Sequence, residues 1–140
     1  MEYIIGILLA LIVCGTAAFV GLDRDRALYP TMLIVVASYY VLFAAMGGGN
    51  EALLLEVAIS AAFVVAAIAG FKLNLWLVVG GLAVHGLFDF THHLVLRNPG
   101  VPVWWPGFCL AFDVTAAIFL GALLIKRSNV SLQRTAFGGR

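Results

Sequence analysis

Five apolar runs dominate this chain, at about residues 3–22, 31–46, 51–70, 75–96 and 107–125. Each approaches the ~20 residues that an α-helix needs to cross a bilayer. In hydrocarbon, every backbone N–H and C=O must find its partner within the structure, so runs of this kind fold as helices packed side by side. The composition agrees: 64% of the 140 residues are hydrophobic and 11% are charged, against about a quarter charged in a soluble domain. The expectation is one all-α, polytopic bundle of five transmembrane helices with no room for a soluble domain. A net charge of +1 gives no reason to expect nucleic acid or a strongly acidic partner. Cys14 and Cys109 lie in apolar runs without a CxxC spacing and read as buried small hydrophobes.

The distribution of Lys and Arg sets the expected orientation. The leading residues, Met1-Glu2-Tyr3, lack the basic stretch of a secretory signal, so the first run reads as an uncleaved helix with its N-terminus outside. Five spans then put Arg24, Arg26, Lys72, Lys126, Arg127, Arg134 and Arg140 on the inner side and only Arg97 on the outer. That bias matches the positive-inside rule for a multi-pass protein of the cell (inner) membrane.

The connections are short. Asp23-Arg24-Asp25-Arg26 reads as a solvated loop, and Pro30 suits the first turn of the second helix. Gly47-Gly48-Gly49-Asn50 reads as a turn; without a following GK[ST] it is no phosphate loop. Ala58, Ala62, Ala66 and Gly70 form a small-residue stripe suited to helix contact, and a possible homo-oligomer interface. Between the last two helices, Pro99, Gly100, Pro102 and Pro106 exclude regular helix, while Trp104 and Trp105 suit an interfacial anchor or a cover over a site. Residues 126–140 form a polar, basic cytoplasmic tail that reads as poorly ordered.

One stretch resists this plain description. His85-Gly86-Leu87-Phe88-Asp89-Phe90-Thr91-His92-His93 holds all three histidines of the chain. At ~100° per residue, His85, Asp89 and His92 share one stripe, with His93 at its edge. Ionisable groups at such depth are costly unless they pair, bind a metal or line a wet cavity. Glu56 on the third helix and Asp113 on the fifth fall in the same outer half of the bilayer, which points to one shared site. Imidazoles beside carboxylates suit zinc, non-haem iron or manganese, zinc being the first expectation. Candidate metal ligands are His85, His92, His93 and Asp89, and Glu56, Asp89 and Asp113 are candidates for the catalytic acid–base role. One helix cannot wrap all its own candidates around one ion, so Glu56 or Asp113 is expected to join from another helix. Tyr39, Tyr40, Trp104 and Trp105 are candidates for lining a substrate.

The motif His85-Gly-Leu-Phe-Asp89-Phe-Thr-His92-His93, followed by Val103-Trp104-Trp105-Pro106 and Phe112-Asp113, resembles a group of small bacterial integral membrane proteins of uncharacterised function. That resemblance spans nearly the whole chain and implies no activity. A looser one is to the alkaline-ceramidase-like membrane hydrolases, which hold zinc with histidines and an aspartate among seven helices. This sequence departs in helix number and lacks the HxxxH pair, so only the theme of His and Asp on membrane helices carries over. Three functions stay open: a metal-dependent hydrolase acting on a lipid or amphiphile, a small oligomeric proton-coupled transporter, and a structural subunit of a larger membrane complex.

Overall fold

The computed structural model describes residues 1–137, in which five α-helices account for nearly all of the chain and no strand is present. They are α1 (Glu2–Val20), α2 (Leu28–Phe43), α3 (Gly49–Lys72), α4 (Trp76–Val95) and α5 (Trp105–Phe137). Four of these regions are long and apolar enough to cross a membrane. α4 falls short because its last three turns carry Asp89, His92 and His93 as well as Thr91.

Small residues bury and large ones face outward, as expected where lipid rather than water surrounds the bundle. On α1 the buried positions are Gly6, Ala10, Cys14 and Ala17, while Ile4, Leu8, Ile12 and Phe19 are exposed. This small-residue seam lets α1 lie along α5, which packs against α4 on another side. α3 packs on both α2 and α4, and α2 also touches α4. Leu33, Val78, Leu82, Ala116 and Leu120 fill the centre of the bundle. Cys14 and Cys109 are free and buried, as expected. At one end Arg127 donates to the Asp23 backbone oxygen at 2.9 Å and to its carboxylate at 2.8 Å, tying α5 to the α1–α2 connection.

Two expectations need correcting, and a third, the alanine stripe, is met in part. The glycine turn is not a loose loop: a π-helical turn over Ala44–Gly48 carries α2 almost directly into α3. Gly49, at φ 77°, makes the break between them, a conformation that favours glycine. The basic segment expected to be a poorly ordered tail continues α5 through Phe137, and Arg140 lies outside the described residues. The alanine stripe is a contact surface within the chain mainly at Gly70, which meets Val78; Ala58 and Ala62 are exposed.

Candidate metal centre

The polar residues of four helices meet at the end of the bundle where α2 finishes, α3 starts, α4 finishes and α5 starts. On α4, the spacing of four and three residues buries His85, Asp89 and His92 along one stripe, as the helical period requires. α5 brings Asp113 to the same place, and the close approach of the two helices depends on Gly86. A Cβ there would stand 3.1 Å from Asp113 Cβ and 3.3 Å from the Leu110 oxygen. α3 contributes Glu56, and α2 contributes Tyr40.

These groups form two neighbouring clusters. In the first, His85 Nδ1 lies 2.7 Å from Asp113 Oδ2 and 3.3 Å from Asp89 Oδ2. A ring nitrogen carries at most one proton, and the geometry directs its hydrogen bond to Asp113. Both oxygens of Asp89 and the Oδ1 of Asp113 are then buried without a hydrogen-bond partner. Each such orphan costs about 1–3 kcal/mol, and more when charged. One donor atom from each of His85, Asp89 and Asp113 lies within 4.8 Å of the others, so the three can hold a metal ion. The ionised carboxylates would then face a cation, which removes the penalty. Tyr40 and Cys109 also adjoin Asp89, but Tyr40 Oη closes no hydrogen bond.

The second cluster is tied together by hydrogen bonds. His92 Nε2 and Glu56 Oε1 are 2.6 Å apart, and Asn98 Nδ2 donates to the same Glu56 oxygen at 3.0 Å. Asn98 also donates to the Tyr40 backbone oxygen at 3.2 Å and accepts from the Gly100 N–H at 3.2 Å. The proline-rich α4–α5 connection is thereby pinned over the ends of α2 and α3. The Tyr40 ring lies 4.4 Å from the His92 ring and 6.5 Å from the His85 ring, so it stands between the clusters.

Several expected residues fall elsewhere. His93 is exposed and lines a surface recess, because one residue's rotation turns it away from His92. His92 pairs with Glu56 and is not part of the three-residue group, and Glu56 does not join the orphaned carboxylates. Tyr39, Trp104 and Trp105 line an apolar groove of about 780 Å³ between α1 and α2, floored by Phe108, Cys109 and Phe112 of α5. Asn98 escaped sequence reading altogether. Its only signal was an amide immediately before Pro99-Gly100, at the point where the chain leaves a helix rich in ionisable groups.

Comparison with known protein families, with characterised proteins and with solved structures returned no match. The resemblances drawn from the sequence motif are thus neither supported nor refuted.

Proposed function

We propose that this chain is a membrane metalloenzyme, a hydrolase whose divalent ion is held by His85, Asp89 and Asp113 in the outer half of the bilayer. The observation that carries this reading is the buried group itself: donor atoms within 4.8 Å, with three carboxylate oxygens lacking a partner. Three protein ligands leave a position for water, whose pKa falls to ~7 on zinc. Zinc is our first choice because one imidazole with two carboxylates suits it, although manganese and iron accept the same set. Glu56 and His92, linked across 2.6 Å, serve as the nearby proton acceptor. The apolar groove that reaches Cys109 and Phe112 favours a lipid or similar amphiphile as substrate.

A transporter with its path inside a single chain fits less well. Between the polar end and the Asp23–Arg127 pair, the described buried side chains are almost all apolar, Leu33, Val78, Leu82 and Leu120 among them. A path for ions through one chain would have to cross that layer.

The test is release of fatty acid or of headgroup from vesicles of mixed phospholipid and ceramide by the purified chain. Hydrolysis that stops with a chelator, returns with zinc or manganese and is lost in His85→Ala supports the reading. Metal-loaded protein that hydrolyses no ester, amide or phosphoester lipid contradicts it.

A further inference from the structure

A second depression, of about 880 Å³, opens beside the α4–α5 connection, away from the three-residue metal group. Arg97, His93, Tyr3 and Gly107 line it, together with His92 and Asn98, which are 3% and 8% exposed. Arg97 is exposed and forms no ion pair among the described residues. The start of the 33-residue α5 borders the recess through Pro106 and Gly107, placing the positive end of a helix dipole there. The C-terminal end of α4 also borders the recess, with Leu96 and Arg97 just beyond it, and Arg97 sets a full positive charge against the negative end of that helix. The one acid of the lining is Glu2, whose carboxylate is paired with the adjacent Met1 ammonium at 3.1 Å. The balance favours an anion.

Glu2 also lines the apolar groove between α1 and α2. Recess and groove share Glu2 as a wall, one with cationic and polar sides and the other apolar. A single amphiphile can occupy both.

We propose that the recess is a binding subsite for an anionic headgroup, a phosphate or phosphodiester, recognised chiefly by Arg97 with His93 beside it. Arginine suits such a group because its planar fork donates two parallel hydrogen bonds. The tail of the same molecule lies in the apolar groove. Where the metal centre hydrolyses a lipid, this subsite makes the preferred substrate an anionic one. The inference rests on the hydrolase reading for that consequence only, since binding is measurable without turnover.

The experiment uses the full chain in a neutral detergent, titrated with dilauroylphosphatidylglycerol, the phosphate-free dilauroylglycerol or inorganic phosphate. Tryptophan fluorescence reports occupancy, because Trp104 and Trp105 flank the groove. The phosphatidylglycerol titration should saturate and bind about tenfold or more tighter than dilauroylglycerol, which lacks the phosphodiester and so loses the charge-assisted contact. Arg97→Gln should erase that preference and Arg97→Lys should restore part of it; the exposed position makes both variants safe for folding. Saturation by inorganic phosphate, again dependent on Arg97, would identify a free phosphate as the ligand and still support the anion subsite. Equal affinity for the two lipids without phosphate binding, or an Arg97→Gln variant that binds as the wild type does, would overturn it. His85→Ala should lose metal while keeping the phosphatidylglycerol affinity, so failure of the metal centre and failure of the headgroup site give different results.

Discussion

Asp113 accepts a hydrogen bond from His85 through one oxygen, while its other oxygen is buried without a partner. Replacing it by asparagine keeps the shape and removes the charge that a cation needs. Asp113→Asn should therefore weaken metal binding by well over the ~10-fold typical of losing an outer-shell partner, measured by competition with a zinc-responsive dye. Glu56 separates from this group in its effect. Glu56→Gln should keep the metal and slow lipid hydrolysis, since it retains the shape of the Asn98 and His92 contacts without a proton acceptor. Glu56→Ala leaves both partners unpaired and should cost about 1–3 kcal/mol, seen as a lower midpoint of thermal unfolding in detergent. At this scale the sequence was informative about which residues gather and poor on how they pair. Asp89, Glu56 and Asp113 were placed at one end, and His85 nearer the midplane, from helix position alone. The partner of each depended on how every helix is rotated about its axis, which apolar runs flanked by lipid do not fix. His93 shows the consequence: one residue from His92, it faces the opposite environment.

At the scale of the element, α4 is a helix whose composition serves the site at the expense of its own apolarity. Gly86 lies between the two ligand positions His85 and Asp89 and admits α5 to the distance at which Asp113 reaches the imidazole. Gly86→Ala would press on Asp113 Cβ at 3.1 Å, and Gly86→Val more strongly. Metal affinity should fall in the order Gly, Ala, Val while helix content by circular dichroism is unchanged; equal affinities would show that the helix spacing does not position the ligand. The helices themselves were legible from their apolar runs to within a few residues for α1 to α4. The end of α5 was not, because polar residues after Ile125 carry no apolar periodicity yet continue a helix already nucleated by the bundle. Asn98 was illegible for a different reason. A loop amide acquires its role from the backbone it bridges, here the Tyr40 carbonyl and the Glu56 carboxylate from two other helices.

For the whole molecule, orientation and metal are the two decisive properties. The excess of Lys and Arg on one side predicts that the α4–α5 connection, with its recess, faces outward. Val103 is fully exposed in that connection and Leu73 is 74% exposed at the other end, while both native cysteines are buried. A membrane-impermeant maleimide should therefore label Val103→Cys in intact spheroplasts and leave Leu73→Cys unlabelled until the membrane is opened; the reverse pattern would invert the site to the inner leaflet. The metal is the more direct issue, because hydrolysis, the role of Glu56 and the purpose of the orphaned carboxylates all follow from it. The decisive measurement is elemental mass spectrometry on protein purified in mild detergent without chelator or histidine tag, alongside folded Asp89→Asn and Asp113→Asn variants. About one equivalent of zinc, manganese or iron per chain, lost in both variants, is the expected result. A wild-type chain that is metal-free and takes up none of the three on addition would contradict the metal centre and leave His85, Asp89 and Asp113 as a buried polar network.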